Sequence, residues 1–181
     1  MSETQLIEEC IKGNYRAQKK LYQQFSGNMM GVSMRYASCK AEAEDILQDS
    51  FIKVFNKLET FKATGPLGGW IRRIVVNTAL QRIRDQKNYR MHVEIDASES
   101  MLEVSDDVLA QMHAAEIMKK IQKLPTGFRT VFNLYAIEGY THPEISKELG
   151  ISVGTSKSQY SRARAILRTL IEQEELSEKA I

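Results

Sequence analysis

The stretch Thr141-His-Pro-Glu-Ile-Ser-Lys-Glu-Leu-Gly-Ile-Ser-Val-Gly-Thr-Ser-Lys-Ser158 decides how the last third of this chain folds. Thr141 can cap a helix whose proline falls in the first turn, where a missing N–H group costs little. Gly150 follows the apolar Leu149 and can adopt the left-handed backbone that ends a helix. Because Ser152 can cap the next helix, the stretch predicts two helices joined by a short, sharp turn.

The second of these helices has two different faces. One face carries the residues predicted to pack inward: Ala163, Ile166, Leu167 and Leu170. The opposite face carries small and basic residues near the helix N-terminus: Lys157, Ser158, Ser161 and Arg162. This arrangement is typical of a helix-turn-helix that reads the major groove of DNA, here from about Thr141 to Arg168. The alternative is a helical hairpin with a solvated basic face, which leaves the joint presence of caps, turn and small residues unexplained.

Apolar residues recur at helical spacing along the rest of the chain, without the period-two alternation of strands. This spacing predicts helices over residues 4–11, 15–36, 41–58, 67–87, 109–124, 126–137, 141–149 and 152–175. Hydrophobic residues make up 43% of the 181 residues, which is enough for two small cores. The predicted fold class is all-α, with a four-helix bundle in residues 1–90 and a helix-turn-helix domain in residues 109–181.

An acidic segment separates the two predicted domains. The chain has a net charge of only +2, yet no Lys or Arg occurs between Arg90 and Lys119. From about Asn88 to Val108 the helical periodicity fades, and acidic and Ser residues dominate. We therefore predict an acidic flexible linker at residues 91–108, between two basic domains.

The predicted helix at residues 41–58 has one acidic face and one apolar face. The acidic face carries three polar residues and one isoleucine: Asp45, Gln48, Asp49 and Ile52. The opposite face carries residues of the core type: Leu47, Phe51, Val54 and Leu58. An acidic face with an exposed isoleucine suits docking on a basic partner surface. For this helix taken alone, an acidic face that merely contacts solvent is the commoner arrangement.

The predicted helix at residues 67–87 mixes apolar positions with four arginines: Arg72, Arg73, Arg82 and Arg84. Such a helix can pack on one side and contact DNA phosphates on the other. Asn77 lies among apolar residues of this helix. It is either a satisfied packing residue or an amide that reads the edge of a base.

Three segments together resemble a bacterial sigma factor: AEDILQDSFIKVF at residues 43–55, GWIRRIVVNTA at residues 69–79 and GTSKSQYSRAR at residues 154–164. Their order and spacing are similar to those of the extracytoplasmic-function (ECF) group, which keeps only regions two and four. The resemblance covers nearly the whole chain, from about Tyr15 to Ile171. It implies a sigma factor that directs promoter-specific transcription initiation, in response to a stress or envelope signal.

The resemblance also implies roles for residues of the first domain. Region two of the family binds the β′ clamp helices of core RNA polymerase, and the matching positions here are those of the acidic face, Asp45, Gln48 and Asp49, with Ile52 beside them. An aromatic residue and an asparagine hold a base flipped out of the −10 non-template strand, and Phe61 and Asn77 match them. The same segment supplies three further −10 DNA contacts: Trp70, Arg72 and Arg73.

For the second domain the resemblance implies reading of the −35 element by the helix that follows the turn. The matching positions are Lys157, Ser158 and Arg162, with Ser161 on the same face. Lys lacks the planar fork of Arg, so Lys157 is expected to position phosphates. Implied partners are core RNA polymerase, through its β′ clamp helices and β flap, promoter DNA, and an anti-sigma factor that covers the polymerase-binding face and the DNA-reading helix.

Two other classes of function fit the sequence less well. A helix-turn-helix regulator that binds its own operator, usually as a dimer, does not account for the acidic face or for the helix that contains Trp70. An enzyme is not expected, because His92, His113 and His142 are scattered and form no catalytic pattern, and His142 is predicted to be a surface residue. No cofactor or metal is expected, since Cys10 and Cys39 lack metal-ligand spacing. No membrane insertion is expected, and the predicted location is the cytoplasm.

Overall fold

The computed structural model describes residues 2–91 and 114–178. Its helices are α1 (Glu3–Ile11), α2 (Tyr15–Tyr36), α3 (Lys40–Lys57), α4 (Leu67–Met91), α5 (Ala114–Lys123), α6 (Thr126–Phe132), α7 (His142–Leu149) and α8 (Val153–Glu178). A 3₁₀ turn at Leu58–Thr60 follows α3, and a π-helical turn at Asn133–Ile137 follows α6. Within these two ranges no residue is in a strand, and the all-α prediction is confirmed.

Most helix ends fall within a few residues of the predicted ends, with two differences. The fourth helix continues to Met91, through residues whose sequence pattern predicts the start of the acidic segment. The predicted helix at residues 126–137 is in fact α6 followed by a π turn. The predicted acidic linker falls almost wholly on residues 92–113, which lie outside the described residues, as does the predicted start of the fifth helix.

The chain divides into two compact units, Met1–Asp85 and Gln86–Ile181, which agrees with the prediction of two helical domains. The exact domain boundaries at residues 90 and 109 stay predictions. No helix in the described ranges combines the length and the apolar character needed to cross a membrane.

The first unit is built around the apolar faces of α2, α3 and α4. Its largest side chains that solvent does not reach are Leu21, Tyr36, Ile46, Leu58, Leu67, Ile71 and Leu80. The short helix α1 begins with a capping box in which Ser2 and Gln5 satisfy each other's backbone N–H groups. Asn14 caps α2 without a reciprocal bond, because its side chain accepts from the N–H groups of Arg16 and Ala17. Because the apolar residues of α2, α3 and α4 are buried against one another, the opposite faces of α3 and α4 are exposed to solvent.

The second unit has its own core, formed by α5, α6 and α8. The buried members of this core are Ile121, Leu124, Phe132, Ala163 and Leu167. Lys120 is only 5% exposed, and its Nζ donates to the carbonyl oxygen of Leu170 at 3.2 Å. The ammonium thus ties α5 to α8, and its buried donor is satisfied.

The helix-turn-helix has the caps that the sequence predicts. The backbone N–H of Thr141 donates to Glu144 Oε2 at 2.8 Å, and Thr141 Oγ1 accepts from the N–H of Glu144. Gly150 ends α7 with φ 62° and ψ 38°, the left-handed conformation. Ser152 Oγ accepts from the N–H of Thr155 at 2.9 Å at the start of α8. The contacts with Thr141 lower the pKa of Glu144, because the N–H and the hydroxyl of Thr141 stabilise its carboxylate.

Candidate functional site

The acidic face of α3 is open to solvent. Asp45 and Gln48 are exposed, Asp49 is partly exposed, and 59% of Ile52 is accessible. The opposite side of the helix is buried in the first unit: Leu47, Phe51, Val54 and Leu58. The folded helix therefore presents to solvent the residues that the resemblance assigns to polymerase binding, as one continuous surface. We call Asp45, Gln48, Asp49 and Ile52 the α3 face.

One arginine of α4 reaches across to the two carboxylates of the α3 face. Arg82 Nη2 donates to Asp49 Oδ2 at 2.8 Å and Nε donates to the same oxygen at 3.2 Å. Its third nitrogen, Nη1, donates to Asp45 Oδ2 at 3.3 Å. Burial alone would lower the pKa of the Arg82 guanidinium, but the bonds to Asp49 and Asp45 raise it above its ordinary value. The sequence pattern groups Arg82 with arginines that can contact phosphates, but in the folded chain its side chain turns toward α3 instead.

The candidate −10 residues gather where the loop before α4 meets the start of that helix. The rings of Phe61 and Trp70 have centroids 5.5 Å apart with planes at 53°, and both side chains are partly exposed. Arg73 and Asn77 are exposed, and they follow Trp70 at the three- and four-residue spacing of a single helix face. Arg72 is partly buried and lies off this face. We call Trp70, Arg73 and Asn77 the α4 stripe.

Two features restrict the conformation of the loop before α4 and of the first residues of that helix. Ala63 has a φ of 52°, a left-handed value that is unfavourable for a residue with a side chain. Gly68 lies against Phe25 of α2, where an added Cβ would stand 3.2 Å from the ring. The start of α4 therefore packs close to α2, with Phe61 held beside Trp70.

The candidate −35 residues lie on the first turns of α8. Lys157 is exposed, and three residues beside it are partly exposed: Ser158, Ser161 and Arg162. The Ser158 hydroxyl donates to the carbonyl oxygen of Thr155 at 3.0 Å, so its remaining capacity is as an acceptor. The buried face of α8 carries Ala163 and Leu167, while Ile166 and Leu170 are partly covered. The helix presents its small and basic residues outward.

Next to Lys157 lies an aromatic cluster that sequence reasoning did not find. The rings of Tyr135 and His142 are stacked with centroids 4.4 Å apart, and Tyr160 lies 4.5 Å from Tyr135. Together with neighbouring loop residues, Tyr135, His142 and Lys157 line an open depression of about 570 Å³. These aromatic residues come from the π turn, α7 and α8, so their sequence spacing gives no signal of the cluster.

His142 is partly exposed and lines the depression, while one edge of its ring packs against α8. Its Nδ1 lies 2.9 Å from Ser156 Oγ, and Ser156 is completely buried. Burial and the nearby charge of Lys157 lower the pKa of His142, which favours the neutral ring at neutral pH. The first residue of α7 thus packs back against α8. In the described ranges, no cluster of His, Cys, Asp or Glu is arranged to hold a metal ion.

Comparison with known proteins defines the class of this chain. Residues 21–89 match the family described as Sigma-70 region 2, and residues 114–167 match Sigma-70, region 4. The chain is 30% identical to the ECF RNA polymerase sigma factor SigW of Bacillus subtilis over 173 residues, covering 90% of this chain and 92% of SigW. It is 26% identical to the RNA polymerase sigma-H factor of Pseudomonas aeruginosa over 171 residues, with 88% and 89% covered.

The fold is also similar to that of the sigma factor RpoE of Bartonella quintana, solved in complex with the anti-sigma factor NepR. That match has a TM-score of 0.51 at 21% identity, covering 85% of this chain and 96% of RpoE. The chain is thus built from the two conserved regions of a sigma-70 factor. It belongs to the ECF group of RNA polymerase sigma factors, which are transcription initiation factors, as the resemblance implies.

Proposed function

We propose that this sigma factor binds core RNA polymerase through the α3 face, reads −10 and −35 promoter elements and promotes strand opening. The observation that carries the proposal is the α4 stripe beside Phe61. An aromatic pair, a cation and an amide project outward within two helical turns. Those are the groups that a single-stranded base and its phosphate need for binding.

On this proposal, opening is driven by capture of an unpaired base. Extruding a base from the duplex costs a few kcal/mol. Stacking on an aromatic side chain returns about 1–3 kcal/mol per base. An amide at Asn77 can add donor and acceptor contacts to the base edge, and Arg73 can neutralise a phosphate. The protein breaks no covalent bond, since its contribution is differential binding of the open strand.

The second unit supplies the other half of promoter recognition on this proposal. Arg162 can form a bidentate contact to guanine, which is worth about 1–3 kcal/mol of discrimination. Lys157 is exposed beside the aromatic depression and supplies a point charge for a phosphate. Reading two separated elements lets modest contacts at each one add up to a specific site.

The partners follow from the same surfaces. The acidic α3 face complements a basic surface such as the β′ clamp helices of the polymerase. The β flap is the proposed partner of the second unit. We also infer an anti-sigma factor that covers both units, which the RpoE–NepR complex supports by analogy. Such a factor should displace core polymerase from this chain; simultaneous binding of both would contradict it.

The test is reconstitution with core RNA polymerase and run-off transcription on genomic fragments. We expect specific initiation, together with permanganate-reactive thymines at the −10 element. Asn77→Ala should lower initiation roughly tenfold, because one lost base-edge interaction of about 1.4 kcal/mol corresponds to that factor. Binding to core polymerase alone should not change.

The matched control is Gln81→Ala, which removes an exposed amide one turn further along α4. Gln81 bonds Asp85 within its own helix, so its loss should leave strand opening intact. Equal initiation by the Asn77→Ala and wild-type chains would remove the assigned role of Asn77. Specific binding of promoter fragments by the chain without core polymerase would favour an ordinary operator-binding regulator instead.

A further inference from the structure

We propose that Arg82 is a positioning residue that holds the two carboxylates of the α3 face in the geometry that docks on core RNA polymerase. This inference rests on the proposed function of that face. No part of the sequence resemblance assigns Arg82 a role, and its side chain turns away from the candidate DNA contacts toward α3.

The two carboxylates need such a partner because of their spacing. Asp45 and Asp49 stand four residues apart on α3, where like charges lie side by side and repel each other. The Arg82 guanidinium lies between them, with one nitrogen bonded to Asp45 and two bonded to Asp49. One cation thereby allows two anions to lie side by side on adjacent helical turns. Two acidic side chains on adjacent turns are far more effective against a basic partner when both are held in place.

The geometry favours positioning of the carboxylates over masking of the α3 face. Arg82 binds Oδ2 of each aspartate, and neither Oδ1 atom has a hydrogen-bond partner within the described residues. The side chains of Asp45 and Asp49 remain 64% and 46% exposed, whereas that of Arg82 is only 29% exposed. A partner can therefore reach one oxygen of each carboxylate while Arg82 keeps the other. Ordering these side chains in advance lowers the entropy cost of docking.

The anchor of this arrangement is the packing of α4 against α3. One turn further along, Lys53 Nζ of α3 donates to Thr78 Oγ1 of α4 at 3.2 Å. The pairs of residues 49 with 82 and 53 with 78 follow an antiparallel register, which fixes where Arg82 emerges. The buried residues of both helices hold the packing without Arg82. A partly exposed ion pair contributes little to stability, so the fold should survive its loss.

The test measures the affinity of the full chain for core RNA polymerase without DNA, by fluorescence anisotropy of a labelled chain. Arg82→Gln should weaken binding on the order of tenfold, the expected effect of releasing two ordered side chains. Arg82→Lys should recover only part of the loss, because an ammonium cannot hold both carboxylates with a planar fork. The matched control, Lys57→Gln, removes one exposed cation from α3 and should stay within about twofold of wild type.

A second readout separates positioning from a structural role. In a chain that already carries Asp45→Asn and Asp49→Asn, adding Arg82→Gln should have no further effect on binding to core polymerase. The melting temperature of the Arg82→Gln chain should differ from that of wild type by only a few degrees. Tighter binding of the Arg82→Gln chain would show that Arg82 masks the face, which overturns the inference. An equal loss in both backgrounds would show a structural role and overturn it as well.

The two levels of the proposal fail in different ways. If removal of the carboxylates weakens binding but Arg82→Gln does not, only the role of Arg82 is wrong. If the chain without the two carboxylates binds core polymerase as tightly as wild type, the α3 face is not the docking surface and both proposals fail. A wild-type chain that does not bind core polymerase would overturn the proposed function itself.

Discussion

Protonation of a single residue, His142, couples the stability of the second unit to pH. Its ring stacks on Tyr135, and its Nδ1 lies against the buried hydroxyl of Ser156. A charged ring there would face the ammonium of Lys157 and lose hydration, so the folded state prefers the neutral form. Proton uptake by His142 therefore works against the packing of α7 on α8.

The sign of the resulting pH dependence follows from this preference. Because the folded pKa is lowered below the ordinary 6.5, the unfolded chain binds the proton first as the pH falls. We expect the unfolding free energy of the second unit to be fully present above about pH 7 and to fall as the pH drops through 6.5. Urea titrations at several pH values, followed by NMR signals of α7 and α8, measure it.

The control for this prediction is His142→Gln, which cannot titrate in the same range. Its pH dependence between about 7.5 and 5.5 should be flatter than that of wild type. Since Glu144 has a lowered pKa, its carboxylate stays ionised through this interval and adds little to the slope. Stability of the wild-type unit that stays constant or rises on acidification would contradict the assignment.

At the scale of the element, Gly150 is the residue at which α7 ends and the chain turns toward α8. Its φ of 62° is left-handed, and a Cβ placed there would meet no atom within 4 Å. The cost of Gly150→Ala is therefore backbone strain, about 1 kcal/mol of unfolding free energy, with no contribution from a clash. The same NMR-detected urea titration of the second unit would measure this loss.

Gly154→Ala provides the matched comparison within the same unit. Gly154 lies in the first turn of α8 without a positive φ, and an added Cβ would stand 3.7 Å from Ser152 Oγ, an ordinary contact. We expect its stability to be unchanged or slightly raised, since Ala favours a helix over Gly. Equal losses at positions 150 and 154 would mean that the left-handed turn carries no special cost.

Local rules explain why the helices could be predicted so well from sequence. The caps at Thr141 and Ser152 and the turn at Gly150 depend on residues within four positions of one another, so the sequence shows them directly. The π turn at Asn133–Ile137 could not be predicted in this way. Its pattern of apolar residues is compatible with a continued α-helix, and Asn133 at its start is completely buried, so tertiary packing decides.

The same distinction applies to the candidate site. The α3 face and the α4 stripe follow from helical periodicity, once the buried side of each helix is known. The bonds of Arg82 span 33 and 37 residues, and the aromatic cluster joins the π turn, α7 and α8. Such contacts depend on how helices pack, which a single sequence does not encode in its spacing.

At the scale of the whole molecule, the proposed function divides promoter recognition between two units, each of which has its own core. Each unit carries only a few candidate DNA contacts, and modest contacts at two elements become specific when a tether raises the effective concentration of the second. Cutting the chain within residues 92–113 tests this division. We expect both fragments to stay folded while initiation falls by about 10²-fold or more.

The cut is made by a protease whose recognition sequence is inserted at residues 92–113, and the uncleaved insertion chain is the control. Run-off transcription with core polymerase measures initiation before and after cleavage, and NMR spectra of the fragments report on folding. Raising the concentration of one fragment should restore part of the activity, because mass action replaces the lost tether. If the cleaved chain initiated as well as the uncleaved one at low concentration, the polymerase alone would align the two units. The covalent connection would then contribute nothing to the specificity of the promoter.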